Sequence, residues 1–152
     1  FLETYHHRWY HSDDLDAIFV QDNLSFSKKG TLRGLHFQIT QPQAKLVQAI
    51  TGKIFDVAVD IRPDSPTFGK WSSALLSEEN KRQLFIPEGF AHGFCVLSES
   101  AHVAYKCSDY YSPADEGGIL WSDPAIGIDW PVKDPMLSDK DQQYPCLKDL
   151  RM

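Results

Sequence analysis

The sequence predicts an all-β fold of the jelly-roll type, in which two sheets pack face to face. Many short segments alternate apolar and polar residues, as strands do, and turns containing Gly or Pro separate them at regular intervals. No convincing helical periodicity precedes the C-terminal region. The 152 residues suffice for one core, so we expect a single domain over residues 1–152. The mouth of such a barrel can hold a small ligand.

Four strands are predicted in the first half of the chain, over residues 17–24, 31–37, 46–50 and 54–61. A Gly-containing turn at residues 28–30 precedes the second strand, and residues 51–53 form a short hairpin turn between the third and the fourth. Along the fourth strand Phe55, Val57, Val59 and Ile61 alternate with three residues on the other face. That other face carries Asp56, Ala58 and Asp60.

Four more strands are predicted over residues 71–76, 82–86, 94–97 and 102–108. Turns at residues 77–80 and 87–89 separate them, and residues 138–143 are predicted to form one helical turn. The chain opens on Phe1 without an initiator Met, in what reads as the middle of a strand. We therefore expect that residues preceding Phe1 are missing.

Composition restricts the classes of function. The net charge is −6 with acids and bases interspersed, which argues against a nucleic-acid-binding surface, although a local basic cluster could still bind a small anion. No apolar run is long enough to span a bilayer, and no charged-then-apolar leader marks export. Cys95, Cys107 and Cys146 are odd in number and widely spaced, so we expect reduced thiols in a cytoplasmic protein.

Four segments carry side chains that could do chemistry. They are RGLHFQ at 33–38, PEGFAHGF at 87–94, YKCSDYY at 105–111 and LSDKD at 137–141. Each alone has an ordinary explanation: a hydrogen-bonded strand histidine, a tight turn, a half-buried aromatic strand and a solvated polar turn. Strict alternation also places Arg33 and His36 on opposite faces of a strand. A shared site therefore requires Arg33 to reach round from a strand end or from a bulge, for which Gly34 is a candidate.

Taken together, the segments closely resemble the dTDP-4-dehydrorhamnose 3,5-epimerase family of nucleotide-sugar enzymes. The resemblance runs in order through FLETY, FVQDNLSFS, LRGLHFQ, AKLV, FDVAVDIR, SPTFG, LSEEN, QLFIPEGFAHGF, YKCSDYYSP, WSDPAIGIDWP and LSDKD. It implies a cupin-type double-stranded β-helix with a short C-terminal helical region. It also implies a homodimer that uses no metal and no organic cofactor.

The residues themselves favour a metal-free site. Metal-binding cupins usually carry a His-x-His pair with a later Glu in a first motif, and a His in a second. Here His36 is followed by Gln38, and the second motif supplies His92. Two histidines fall short of the three or four protein ligands that a transition metal generally needs.

The resemblance implies a dTDP-linked 4-keto-6-deoxyhexose as substrate. A proton removed from C3 or C5, on either side of the C4 ketone, leaves an enolate, and reprotonation on the opposite face inverts the carbon. This chemistry needs a base, an acid on the other face and positive charge near the oxygen. By resemblance, His36 is the base, Asp141 is its carboxylate partner with Asp139 as the alternative, Tyr105 is the acid, and Lys45 lies near the oxyanion.

The resemblance also implies contacts to the rest of the substrate. Arg33 matches a diphosphate-binding arginine, and Tyr111 matches the ring that stacks on thymine. Glu3, Gln21 and Asn23 match positions that contact the nucleotide, some of them across a dimer interface. Lys140 matches a position near phosphate. His92 matches a position that contacts the sugar or supports a residue that does. The family carries an Arg-Gly pair just before the position of Phe1. We expect a chain without that nucleotide-binding arginine to bind substrate less tightly.

Three alternatives stay open. A relative that inverts only one of the two carbons needs the same base and similar acids, so the motifs do not separate it from the dual epimerase. A metal-dependent cupin oxygenase or isomerase is a second class. A catalytically silent sugar-nucleotide-binding cupin is a third, against which the joint presence of His36, Tyr105, Lys45 and Asp141 argues.

Overall fold

Nine strands and two short α-helices make up the described part of the chain, residues 1–12 and 15–150 of a computed structural model. The helices are α1 (His7–Ser12) and α2 (Asp139–Gln143). The strands are β1 (Gln21–Lys28), β2 (Leu32–Gln38), β3 (Lys45–Thr51), β4 (Lys53–Asp60), β5 (Trp71–Ser77), β6 (Gln83–Ile86), β7 (Phe90–Val96), β8 (Ser100–Cys107) and β9 (Glu116–Gly118). Pro113–Asp115 and Leu147–Asp149 form single 3₁₀ turns. No helix among these residues is long and apolar enough to cross a membrane.

The strands form two antiparallel sheets, with the orders β1-β8-β3-β6 and β5-β4-β7-β2-β9. A buried apolar cluster draws residues from both sheets, for example Val47 and Val103 from the first and Ile54 and Phe94 from the second. The core therefore lies between the two sheets, as in a jelly roll. The prediction of an all-β, two-sheet fold is confirmed.

A second apolar cluster covers the outer face of the five-stranded sheet. Leu35, Val57 and Val59 project there from the strands, and they pack with Ile119 and Leu147 from the C-terminal segment. Because this segment covers the sheet, both faces of β4 are buried. Asp56 and Asp60, on the other face of β4 from Val57 and Val59, are consequently buried carboxylates that need partners inside the protein.

Eight of the strands overlap the predicted strands, because period-two alternation is a strong signal where a sheet faces a core. The boundaries differ most for β1, which begins at Gln21 rather than residue 17, and for β7, which begins at Phe90 rather than residue 94. The expectation that Phe1 lies within a strand is wrong, since residues 1–6 have no regular structure and α1 follows them. The three-residue strand β9 was not predicted, and the helical turn at 138–143 appears as α2.

A bulge in β2 places Arg33 and His36 on one face. Arg33 pairs with Phe94 of β7 and His36 pairs with His92, so β2 has one more residue than β7 between the two pairs. Because residues 92 and 94 share a face of β7, their partners in β2 do too. Gly34 occupies the bulge with φ +122°, and the Gly34–Leu35 peptide is cis. The predicted bulge at Gly34 is confirmed.

Substitution Gly34→Ala tests the bulge. A Cβ at this position would lie 2.6 Å from the Cα of Gly93 and 2.7 Å from the carbonyl oxygen of His92, in a backbone conformation that L-residues disfavour. We expect the free energy of unfolding, measured by urea denaturation, to fall by about 3 kcal/mol or more. Gly30→Ala is the matched control, because Gly30 has φ +81° but open space around its Cβ position. That variant should lose only about 1 kcal/mol, and equal losses for the two variants would contradict the steric argument.

Candidate active site

A cavity of about 330 Å³ opens at one end of the barrel, between the two sheets. Its wall is formed by Gln21, Asn23, His36, Phe37, Gln38, Gln43, Lys45, Tyr105, Cys107, Tyr111 and Glu116. An adjoining cavity of about 150 Å³ shares His36, Lys45 and Tyr105 and adds Arg33 and His92. We call the two together the central cavity. Its volume matches that of a small-ligand site.

His36 and Asp141 form a close pair at the wall of this cavity. The Nε2 atom of His36 lies 2.6 Å from Oδ1 of Asp141, and the backbone N–H of Gly34 approaches Oδ2 at 3.4 Å. Burial raises the pKa of Asp141, but the hydrogen bond and charge of His36 outweigh it, and the net pKa is lowered. Asp141 is therefore ionised at neutral pH and can only accept the hydrogen bond, so the His36 ring carries its hydrogen on Nε2.

Asp141 lies on the short helix α2, which positions its carboxylate next to His36. Ser138 is the N-cap of α2, and its hydroxyl accepts a hydrogen bond from the backbone N–H of Asp141 at 3.1 Å. The cap orients α2 so that Asp141 is buried while Asp139 stays exposed. The carboxylate that contacts His36 is therefore Asp141 and not the alternative, Asp139. The ring edge of Tyr144 also packs on His36, with centroids 5.8 Å apart.

Tyr105 and Lys45 approach the cavity from the opposite sheet. On the paired strands β8 and β3, Tyr105 lies opposite Val47 and Lys45 lies opposite Cys107, so all four side chains share one face. Val47 and Cys107 are buried on that face, which identifies it as the inner one. His36 therefore projects from one wall, and Tyr105 and Lys45 project from the other.

Burial perturbs both groups on this second wall. It raises the pKa of Tyr105, a rise that the nearby charge of Arg33 partly offsets, so the phenol keeps its proton at neutral pH. Burial lowers the pKa of Lys45, and electrostatic interactions with Cys107, Asp56 and Glu116 oppose that change. The wall facing His36 thus places a phenol that can donate a proton on the same face as a half-buried lysine.

A second histidine–carboxylate pair lies deeper in the barrel. The Nε2 atom of His92 is 2.6 Å from Oδ1 of Asp56, and both residues are buried. The Oδ2 atom of Asp56 has no hydrogen-bond partner within the described part of the chain. His92 lies directly opposite His36 across the β2–β7 pairing, so the two imidazoles share one face of the sheet. Asp56 was missed as a site residue, although a carboxylate within an apolar strand is a signal of a buried partner.

Glu116 joins two of the predicted nucleotide contacts at the rim. It accepts hydrogen bonds from the hydroxyl of Tyr111 at 2.7 Å and from the ammonium of Lys140 at 2.8 and 2.9 Å. Burial raises the pKa of Glu116, but the hydrogen bonds from Lys140 and Tyr111 prevail and the net pKa is lowered. Sequence reasoning missed Glu116, because its partners lie 5 and 24 residues away along the chain.

The remaining predicted contacts fall into two groups. Gln21 and Asn23 line the cavity and share a 3.0 Å hydrogen bond, and the Gln21 side chain also accepts from the backbone of Tyr111 at 3.0 Å. Arg33 is exposed beside the cavity and donates from Nε to the hydroxyl of Ser27 at 3.0 Å. Glu3 is exposed and does not line either part of the central cavity. Its contact to the nucleotide stays a prediction.

Each histidine of the central cavity pairs with a different carboxylate, His36 with Asp141 and His92 with Asp56. Within residues 1–12 and 15–150, no three or more His, Cys, Asp or Glu side chains form a cluster suited to a metal ion. The three cysteines are free. The geometry is that of an acid–base site with an imidazole on one wall and a phenol and an ammonium on the other.

Similarity to known proteins extends over almost the entire chain. A family model described as dTDP-4-dehydrorhamnose 3,5-epimerase matches residues 1–149. The chain belongs to the dTDP-4-dehydrorhamnose 3,5-epimerase family. The dTDP-4-dehydrorhamnose 3,5-epimerase of Neisseria gonorrhoeae is 56% identical over 142 residues, which are 93% of this chain and 43% of that relative. The chain thus spans less than half the length of this relative.

Two solved structures relate the epimerase fold to bound nucleotide sugars. The dTDP-6-deoxy-D-glucose-3,5-epimerase of Legionella pneumophila Philadelphia 1, in complex with dTDP-4-keto-L-rhamnose, has a TM-score of 0.96 and 51% identity, covering 99% of this chain and 81% of its own. ChmJ, a 3′-monoepimerase from Streptomyces bikiniensis in complex with dTDP-quinovose, has a TM-score of 0.87 and 34% identity, covering 96% and 75%. The family resemblance predicted from the sequence motifs is confirmed.

Proposed function

We propose that this chain inverts C3 and C5 of dTDP-4-dehydro-6-deoxy-D-glucose to give dTDP-4-dehydro-L-rhamnose, in the biosynthesis of dTDP-rhamnose. The observation that carries the proposal is the pair His36–Asp141 on one wall of the cavity facing Tyr105 and Lys45 on the other. Family membership supports the same substrate class.

His36 is the general base in this proposal. Because Nε2–H of His36 is directed at Asp141, Nδ1 is the basic nitrogen that takes a proton from a carbon next to the C4 ketone. The resulting imidazolium lies 2.6 Å from an ionised carboxylate, which stabilises the new positive charge and holds the ring in place. Asp141 therefore acts without itself changing protonation.

Lys45 and Tyr105 complete the reaction from the other wall. Proton removal moves negative charge onto the ketone oxygen, and an ammonium removed from water interacts strongly with such an oxyanion. The phenol of Tyr105, which stays protonated because burial raises its pKa, then gives its proton to the planar carbon on the face opposite His36. Delivery from the opposite face inverts the centre. Exchange with solvent water then removes the proton from His36 and returns one to Tyr105, so that the pair can act again.

The nucleotide contacts are assigned by position. Arg33, exposed beside the cavity, binds the diphosphate, and Tyr111 at the rim stacks on thymine. Gln21 and Asn23 hold the nucleotide, and Lys140 contributes charge near phosphate. His92, beside His36 in the smaller part of the cavity, contacts the sugar or supports a residue that does.

Inversion of a single centre is the second candidate. This candidate is favoured by the similarity to ChmJ, a 3′-monoepimerase that shares the fold at 34% identity. The identity of 51% to the Legionella 3,5-epimerase is higher, which supports the dual reaction. Identifying the product stereochemistry by NMR distinguishes the two.

We also infer that the chain forms a homodimer through the edge strand β1. Leu24 and Phe26 are 66% and 51% exposed on successive outward positions of this strand. An edge strand with exposed large apolar side chains readily pairs with another chain, and a second copy offers the same surface. Ile18 and Val20, just before β1, are also exposed and extend the apolar surface.

A cytoplasmic location is part of this proposal, and the three free cysteines fit a reducing compartment.

Substitution His36→Ala tests the base. With the dTDP-4-keto sugar in heavy water, we expect turnover and deuterium incorporation beside the ketone to fall by about 100-fold or more, because no other group replaces the base. Binding of dTDP, measured by calorimetry, should change by less than about threefold, since contacts to the nucleotide are separate. His102→Ala is the control, because that imidazole lies on the surface and hydrogen-bonds Thr51. Near-normal exchange in His36→Ala would overturn the assignment.

Substitution Tyr105→Phe tests the acid while keeping the ring. We expect formation of the inverted product to slow by about 100-fold, with deuterium exchange at the carbon facing His36 affected less. Tyr110→Phe is the matched control, because Tyr110 is 66% exposed and does not line the central cavity. An unchanged product profile and rate in Tyr105→Phe would assign the proton to another donor.

The double substitution Leu24→Glu with Phe26→Glu tests the dimer. Analytical ultracentrifugation should show a dimer for the unaltered chain and a monomer for this variant, since two charges cannot be buried at the interface without partners. Leu75→Glu serves as the control, because Leu75 is 42% exposed on β5, an edge of the other sheet. A dimer that survives the change in β1 would place the interface elsewhere.

A further inference from the structure

Three histidines within six residues lie outside the central cavity, where the proposed reaction does not use them. They are His6, His7 and His11. His7 and His11 are four residues apart on α1, so their side chains are neighbours on one face of the helix. Their ring centroids are 4.2 Å apart with an interplanar angle of 71°.

This spacing is close to that of two imidazoles on one metal ion. With metal–nitrogen distances of about 2.0–2.1 Å and a ligand–metal–ligand angle of about 90–110°, the two ring centres lie about 4.5–5 Å apart. The centroid separation in α1 is therefore a few tenths of an ångström shorter than that of a chelating pair.

The nitrogen atoms needed for such a site can be identified. The hydroxyl of Tyr5 lies 3.4 Å from Nδ1 of His7, which leaves Nε2 of His7 as the ligand atom. The Nε2 atom of His11 is shielded from solvent and has no hydrogen-bond partner among the described residues. A polar atom in this state costs free energy, and a metal ion would supply the missing partner.

The rest of the segment holds the pair in position. The ring of Tyr5 packs against Tyr10 and Phe19, with centroids 5.1 and 5.5 Å away, and the ammonium of Lys106 lies 4.9 Å from its centre. Tyr10 anchors the helix to the four-stranded sheet by donating to the side chain of Gln83 at 2.5 Å. A supported pair loses less conformational entropy on binding a metal than two mobile side chains would.

We propose that His7 and His11 form a surface site for a transition-metal dication of the Cu²⁺, Ni²⁺ or Zn²⁺ type, with water completing the coordination. Imidazole nitrogen is a ligand that these ions favour. The described residues gather no set of three or more ligands, so the site exchanges its metal and keeps open positions. Bound metal links two successive turns of α1, a helix of six residues that is too short to be stable alone. This inference is independent of the reaction in the central cavity.

The experiment uses Cu²⁺ and Zn²⁺ with the full chain carrying no affinity tag. Calorimetric titration should show one tight Cu²⁺ site per chain, and electron paramagnetic resonance should report nitrogen ligation. His7→Gln and His11→Gln should each weaken binding at least tenfold, whereas His102→Gln, which removes an imidazole on β8 that hydrogen-bonds Thr51, should leave it unchanged. His6→Gln should retain the affinity within threefold, and a loss as large as that of His7→Gln would overturn the two-histidine assignment.

A second readout separates metal binding from damage to the fold. Without metal, the variants should unfold at the same temperature as the unaltered chain. Saturating Zn²⁺ should raise the unfolding temperature of the unaltered chain and of His102→Gln, but not of His7→Gln. Full affinity for Cu²⁺ in both α1 variants, or no binding by the unaltered chain at 100-fold excess metal, would overturn the proposal.

Discussion

The site depends on one extra residue in β2. A strand alternates its side chains strictly, so a strand that must bury Leu35 and Phe37 on its outer face can present every second residue to the cavity. The bulge at Gly34 adds one residue to the strand, which interrupts the alternation and brings Arg33 to the same side as His36. It also points the backbone N–H of Gly34 at the carboxylate of Asp141. Arg33 and His36 thus share one wall because Gly34 forms a bulge between them.

The barrel interior pairs each of two buried carboxylates with an imidazole. Asp141 lies against His36, and Asp56 lies against His92, each at 2.6 Å. A buried carboxylate without a partner would be costly, and a close hydrogen bond recovers part of that cost. Lys45 is half-buried and forms no ion pair within the described part of the chain, and burial lowers its pKa. It is the group that the proposed reaction places against the developing oxyanion.

The sequence predicted those elements whose residues alternate regularly along the chain. It did not predict features that depend on contacts between distant residues or that are too short to show a period. Alternation identified eight strands, and it also showed that Arg33 and His36 could share a face only through a strand end or a bulge; the structure has the bulge. The helix α1 and the strand β9 were missed because six and three residues carry too little periodicity to register. The choice of Asp141 over Asp139 rested on family resemblance; in the structure, the Ser138 cap decides it physically, by fixing which side of a single turn faces β2.

The number of carbons inverted does not follow from the catalytic residues alone. The proposed reaction uses one imidazole, His36, on one wall and one phenol, Tyr105, on the other. C3 and C5 lie on opposite sides of the C4 ketone, so a fixed sugar ring presents only one of them to His36. Inverting both carbons with this pair requires the ring to turn between two proton transfers while the nucleotide stays bound. The proposed reaction therefore makes specificity for one centre or two depend on the space around the sugar, to which the part of the cavity beside His92 and Arg33 adds about 150 Å³.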